Sequence, residues 1–408
     1  MFALDPATLS GRLSVPPRPR AKPGGRDTRP DLSVPVYEQS LWTSRQRQAS
    51  PIHEVSYRAC FKPQLPRYFI ERLTSAGDVV YDPFSGRGTT AVEAALTGRR
   101  VVANDINPLS AIFTLPRLEA PDLADVEERL RTLPLGRRRK SDIDLSMFYH
   151  ADTEHELLAL REYLARHAAA GTEDAADRWI RMVATNRLTG HSPGFFSVYT
   201  LPPNQATTPE NQIRINRKLK QKPEYRDTRA LILRKSAQLL SRLTADERTT
   251  LRLAAKSALL LERSAAQTRE IKSGSVQLTV TSPPFLDVVH YARDNWLRCW
   301  FNGIDAEVVG AGITMSRTVE DWSETMAAVF AELYRITRRG GWVAFEVGEV
   351  RRGRVRLEEI VAPLGSAAGF ECEAVLINAQ KFTKTANIWG VRNNSKGTNT
   401  NRIVLMRK

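Results

Sequence analysis

The sequence predicts an α/β fold: a doubly wound, Rossmann-like parallel sheet interrupted once by a mainly helical insertion. Two observations carry this. Residues 78–105 read as an apolar run (DVVYD), a glycine turn, a helix over TTAVEAALTG and a second apolar run (RRVVAND), the rhythm of a parallel βαβ unit. That rhythm is lost over 115–272 and resumes at VQLTVTSPPF, residues 276–285.

In chain order, residues 1–50 are rich in Pro, Gly and Arg (PPRPRAKPGGRDTRP) and lack a sustained apolar period. They are expected to form a basic, partly flexible arm, with order starting near SLWTSRQRQ and Trp42 as the first large anchor. Residues 51–114 form the first part of the sheet domain. There FKPQLPRYFIERL sets Leu65, Phe69 and Leu73 at helical spacing, and Gly98 ends the helix after the glycine turn. Residues 115–272 are the insertion, with helical stretches ADVEERLRTL, HELLALREYLARHAAA and DTRALILRKSAQLLSRL around a polar, proline-bearing segment at 185–212. Residues 273–408 complete the sheet domain. A helix over TVEDWSETMAAVFAELYRIT leads through Gly340-Gly341 to strand WVAFEV, a helix around LEEIVAPLGSAAG, and strands CEAVLINA and RIVLM. There are no internal repeats.

With 42% hydrophobic and 26% charged residues, the 408-residue chain has the composition of a soluble globular protein. It contains no apolar run of the ~18 residues that a membrane span requires, and its first residues lack the apolar core of a secretory signal. A cytoplasmic location and no membrane partner are expected. Cys60, Cys299 and Cys372 are odd in number and far apart, which argues against a disulfide framework or a zinc site, so no metal is expected. Sixty Lys+Arg against 45 Asp+Glu leave a net charge of +15. An excess of this size favours a polyanionic partner, because neutralised phosphates release counterions; a merely solubilising surface is the bland alternative.

Two strand ends carry the candidate chemistry. DPFSGRGTT (82–90) follows the first strand, at the carboxyl edge where open α/β sheets bind ligands. Gly86 and Gly88 allow close backbone approach. Asp82 can accept from an ammonium group, and the helix starting near Thr89 offers free N–H groups to a carboxylate. The Lys of a Walker loop is missing, which argues against a nucleoside triphosphate. Asp105, in NDINP at the end of the second strand, is placed for ribose hydroxyls or for capping the next helix. Together the two strand ends read as an adenosyl site.

TSPPF (281–285) follows a third strand. Pro283 and Pro284 fix φ twice and present carbonyls without competing N–H donors. An exocyclic amine is a poor nucleophile until acceptors grip its hydrogens and localise its lone pair. Ser282 Oγ and the Pro283 carbonyl supply those acceptors, and Phe285 a face to stack on the base. A target amine within a duplex must first be flipped out. Tyr291 and Trp296 line or support the base pocket; His290 needs no acid–base role.

DPFSGRGTT, NDINP and TSPPF resemble the amino-group DNA methyltransferases. The resemblance implies that S-adenosylmethionine is bound by Asp82, Phe84, Gly86, Gly88, Thr89, Thr90, Asp105 and Ile106, with Phe61 and Pro63 from an upstream cofactor motif. It implies that Ser282, Pro283, Pro284 and Phe285 form the catalytic loop. The motif order resembles the α-class, which makes 115–272 a target-recognition domain. Serine in the first loop position is commoner in cytosine-N4 enzymes and aspartate in adenine-N6 enzymes. The expected activity is therefore site-specific methylation of N4 of a flipped cytosine in duplex DNA, with adenine N6 as runner-up. An RNA base methyltransferase and a non-catalytic DNA-binding protein are more distant alternatives. A cognate restriction endonuclease acting separately is an optional partner.

For DNA contact, the arginines of RALILRKSAQLLSR offer guanidinium groups to phosphates and guanine edges, or simply a solvated face. GHSPGFFSVYT (190–200) reads equally as a buried loop or a DNA contact. KFTKTANIWGVRNNSKGTNTNR (381–402) is almost free of acids and holds Trp389.

Overall fold

The computed structural model describes residues 9–15, 32–39, 49–58, 60–136, 141–201, 206–284, 291–313, 316, 318–347, 349–350, 355–379 and 400–408. Trp42, Phe285, His290 and all of 381–402 before Thr400 lie outside them.

Nine strands form one sheet: β1 (Leu9–Val15), β2 (Leu32–Gln39), β3 (Val79–Asp82), β4 (Arg100–Asn104), β5 (Leu259–Leu261), β6 (Val276–Thr281), β7 (Thr337–Val347), β10 (Glu371–Ala379) and β11 (Thr400–Arg407). A two-stranded ribbon, β8 (Glu349–Val350) with β9 (Val355–Arg356), stands apart. The spatial order is β1-β2-β10-β11-β7-β6-β3-β4-β5. From β3 the chain steps one way to β4 and β5, then returns to β3's other side for β6 and β7. All these neighbours run parallel. The direction of winding therefore reverses between β3 and β6, the kind of crevice where doubly wound sheets place ligands.

Alternation along each strand sends side chains to two helical layers. Val80, Leu278, Val280 and Ala344 face one layer, with Leu65 and Phe69 of α1 (Gln64–Leu73), Val92 of α2 (Thr89–Leu96) and Phe113 of α3 (Leu109–Glu119). Tyr81, Val343, Phe345 and Val404 face the other, with Trp322 and Phe330 of α12 (Val319–Ile336) and Val361 of α13 (Glu358–Ala368). Burial on both faces explains why these strands are nearly continuous apolar runs.

Between β4 and β5 come α3, α4 (Leu123–Thr132), α5 (Ala151–Ala169), α6 (Ala175–Arg187), α7 (Pro209–Leu219), α8 (Thr228–Leu240) and α9 (Ala245–Ala255). Trp179 of α6 is fully buried and donates its indole N–H to Ser236 of α8 at 2.9 Å. Trp179, Leu160 and Ile232 share one continuous core with Val80 and Val92. The helical excursion thus thickens one layer of the sheet domain. After β6 follow α10 (Tyr291–Asn302) and α11 (Ala306–Gly312). No helix among the described residues is long and apolar enough to cross a membrane.

Two expected boundaries move. The arm at 1–50 contributes two strands: β1 pairs antiparallel with β2, β2 pairs parallel with β10, and Leu13 and Val34 are buried. β2 and β10 lie far apart in sequence, so no local window shows that this arm is held on the sheet. The expected insertion 115–272 also contains β5, a three-residue sheet strand beside β4.

Candidate active site

Asp82 ends β3 and is buried; its Oδ1 accepts from the Phe84 N–H at 3.1 Å. The turn that follows is closed by Gly88 N to the Ser85 carbonyl (2.7 Å) and Ser85 N to the Asn104 carbonyl (2.9 Å). Gly86 and Gly88 adopt φ of +53° and +74°. At Gly88 a Cβ would also fall inside the Thr114 side chain, whereas at Gly86 the nearest atom would be the Tyr57 ring at 3.5 Å. The Tyr57 ring and Cys60 thus pack over Gly86 at van der Waals distance. Gly88 precedes Thr89 and Thr90 at the start of α2, and no side chain caps that helix, which leaves its N-terminus suited to an anion.

Arg87 donates through Nε to Thr89 Oγ1 at 3.1 Å. Its guanidinium donates to the Val55 carbonyl (2.8 Å) and to the Phe61 carbonyl (3.4 Å), stapling the segment that leads through half-buried Phe61 and buried Pro63 into α1. The Arg87 carbonyl accepts from the fully buried Arg117, whose guanidinium is pushed down to about 9 by burial.

Asp105 ties the second strand end to this turn. Its Oδ2 accepts from Gly86 N at 2.7 Å and its Oδ1 from Asn107 N at 3.0 Å. Ile106 beside it is half-buried. Burial raises Asp82 to about 7 and Asp105 to about 6. No ion pair among the described residues involves either carboxylate. Two enclosed acids without a cation, an uncapped helix N-terminus and a glycine turn form a donor set that fits S-adenosylmethionine, with its ammonium, sulfonium and carboxylate.

The proline loop emerges next door. β3 and β6 pair through Val80–Leu278 and Tyr81–Thr279. Thr281 Oγ1 donates to Asp82 Oδ1 at 2.6 Å, and Thr90 Oγ1 donates to the Val280 carbonyl at 3.1 Å. Pro283 is buried; Pro284 is exposed, and its carbonyl accepts the Trp322 indole N–H at 3.0 Å. Half-buried Ser282 is hydrogen-bonded to Glu346 of β7. The register agrees, since Thr281 pairs with Phe345. Glu346 is buried, is also bonded by Asn401 of β11, and is raised to about 7 by burial.

The structure thus brings Asp82, Gly86, Gly88, Thr90 and Asp105 to one crevice with Ser282. Trp296 supports the surroundings: its indole N–H donates to the Thr207 carbonyl at 3.1 Å. Within GHSPGFFSVYT, Phe195 and Phe196 are core residues and Tyr199 is exposed. Sequence reasoning missed Tyr57, Thr114 and Glu346. Glu346 had a signal, a lone acid inside the apolar run WVAFEV; Tyr57 and Thr114 had none.

Fold and site define a doubly wound α/β protein whose donor set at the carboxyl ends of β3 and β4 fits S-adenosylmethionine. Residues 29–111 match the family model described as DNA methylase, so this part of the chain, with the glycine turn and Asp105, bears out the resemblance to the amino-group DNA methyltransferases. The match ends before the proline loop. A type II methyltransferase, M.MjaII, from Methanocaldococcus jannaschii is 31% identical over 88 residues, 21% of this chain and 17% of that protein. A tRNA (guanine(10)-N2)-dimethyltransferase from the same organism is 29% identical over 119 residues, 26% of this chain and 34% of that protein. The chain thus matches about a third or less of either relative's length. Among solved structures, a TehB-like S-adenosylmethionine-dependent methyltransferase from Corynebacterium glutamicum aligns with a TM-score of 0.31 and 8% identity, over 84% of this chain and 86% of that one.

Proposed function

We propose that this protein transfers a methyl group from S-adenosylmethionine to an exocyclic amino nitrogen of a flipped base in duplex DNA, and that the base is cytosine, methylated at N4. The observation that carries the reading is the Thr281–Asp82 hydrogen bond of 2.6 Å, which holds the candidate catalytic loop against the candidate cofactor crevice. The DNA methylase match over 29–111 and the net charge of +15 support DNA as substrate. Serine at 282 supports cytosine N4 over adenine N6.

Asp82 holds the cofactor's ammonium, the α2 N-terminus at Thr89 and Thr90 its carboxylate, and Asp105 the ribose hydroxyls, with Phe61, Pro63, Phe84 and Ile106 as the walls. Bound there, the cofactor supplies an electrophilic methyl group. The chain's own residues prepare the amine. A serine hydroxyl has one proton; given to Glu346, it leaves the Ser282 lone pairs to accept from the amine. The Pro283 carbonyl takes the second amino hydrogen, Pro284 stiffens the loop and Phe285 stacks on the base. The proton released from nitrogen passes through Ser282 Oγ to the Glu346 carboxylate, whose raised affinity suits it to receive one. The helices of 115–258 read the target sequence.

Labelled cofactor, duplex DNA and nucleoside analysis test this: N4-methylcytosine is expected. N6-methyladenine overturns the base assignment. Label in RNA alone overturns the DNA reading, and the tRNA-modifying relative is the observation that favours that outcome.

A further inference from the structure

Two of the three cations on α8 are spent on packing, while Arg234 is exposed. Arg229 donates to the Leu130 and Leu133 carbonyls at 2.9 and 2.6 Å, and Lys235 is buried with its ammonium on Gln238. α7 is built differently. Its inner side is fixed by polar bonds: fully buried Gln212 donates to the Tyr199 carbonyl (2.9 Å) and to Asn216 (2.8 Å), and Asn216 donates to the Met147 carbonyl (2.8 Å). Its outer side exposes Arg214, Arg217 and Lys218, at the i, i+3, i+4 spacing that sets side chains about 5–6 Å apart. Exposed Lys220 and Lys222 continue the row beyond the helix end. The single acid on the helix is Glu210, one turn from Arg214. Ile213 and Leu219 are exposed among these cations at 36% and 48%.

α10 begins at Tyr291, shortly after the proline loop, and holds the chain entering α7. The Ala206 N–H donates to the Asp294 carbonyl at 2.9 Å, and the Trp296 indole to the Thr207 carbonyl at 3.1 Å. The Asp294 carboxylate in turn pairs with Arg58, the neighbour of the Tyr57 that packs at Gly86.

We propose that the exposed face of α7, Arg214, Arg217 and Lys218 continued by Lys220 and Lys222, is the phosphate-contacting surface that docks duplex DNA beside the loop at 282–284. This rests on the reading of the chain as a DNA amino-methyltransferase. A row of exposed cations on a helix whose entering chain is held by α10 engages successive phosphates and sets the register in which a base reaches Ser282.

The test uses the full chain with Arg214→Gln, Arg217→Gln and Lys218→Gln combined. The control combines Lys256→Gln, Arg269→Gln and Lys272→Gln near the amino ends of β5 and β6, the opposite edge of the sheet. Thermal melting verifies that both fold. Fluorescence anisotropy with a DNA duplex, titrated across salt, gives the slope of log Kd against log salt. Each lost phosphate contact lowers that slope by about 0.9, so the α7 triple is expected to lose roughly 2–3 units. The control is expected to keep its slope, and both should bind S-adenosylmethionine as the wild type does. Equal slopes for the two triples overturn the docking surface. If the wild type still methylates DNA in that case, the functional reading stands. Wild type that binds the cofactor but neither binds nor methylates DNA overturns both, and stronger competition by duplex RNA than by DNA overturns the choice of partner.

Discussion

Thr281, the last residue of β6, donates its hydroxyl to Asp82, the last residue of β3, at 2.6 Å. Two segments 199 positions apart are thereby joined at the point where the sheet reverses its winding. Thr281→Val keeps the shape and removes the donor from a buried carboxylate. Losing one buried partner costs about 1–3 kcal/mol, so the variant is expected to unfold at lower denaturant and to bind S-adenosylmethionine more weakly. Unchanged binding by calorimetry would show that the bond does not serve the crevice.

Ser282→Ala should retain cofactor and DNA binding while turnover falls by about 10²–10³, the usual cost of removing one preorganised polar group. Single-turnover methyl transfer measures this. Near-wild-type turnover would remove Ser282 from the chemistry.

Glu346 is raised to about 7 by burial, and among the described residues it is bonded by the non-ionisable Ser282 and Asn401. Protonated, it no longer draws the Ser282 proton, so wild-type turnover is expected to fall as pH drops through about 7. Glu346→Gln should lower turnover and flatten that acid limb, with cofactor affinity retained. A limb that persists in the variant assigns the titration to another group.

Asp82 is also raised by burial, to about 7. A carboxyl whose folded pKa exceeds its unfolded value adds stability that is present below the unfolded value and lost as pH rises through the folded one. Asp82→Asn should therefore gain melting temperature over the ligand-free wild type at pH 8, with the difference shrinking towards pH 4. The same substitution should abolish the stabilisation that S-adenosylmethionine brings. A constant difference across that range would place the charge of Asp82 outside the stability balance.

The two turn glycines should separate by cause. Gly86→Ala makes only ordinary van der Waals contact with Tyr57 and Cys60 and carries the strain of positive φ, about 1–2 kcal/mol. Gly88→Ala adds a collision with Thr114 and should melt lower. Thr114→Ala, which removes both the hydroxyl and the methyl that the new Cβ would meet, should recover part of the Gly88→Ala loss and none of the Gly86→Ala loss.

Much of this protein was legible in its sequence because the relevant signals are local. Apolar runs ending in DPFSGRGTT, NDINP and TSPPF mark three strand ends, and the residues that line the crevice sit within those few positions. β1, β2 and β5 were not legible, since the arm joins the sheet only through the pairing of β2 with β10, and β5 is three residues placed by β4. Glu346 became meaningful only when the register of β6 against β7 set it beside Ser282. Composition counts cations, and only packing decides which, like Arg229 and Lys235, are consumed by contacts and which, like Arg214 and Arg217, remain facing water. Local chemistry was thus written in the chain, while proximity, burial and register came from tertiary structure, because they depend on contacts that no short window of sequence contains.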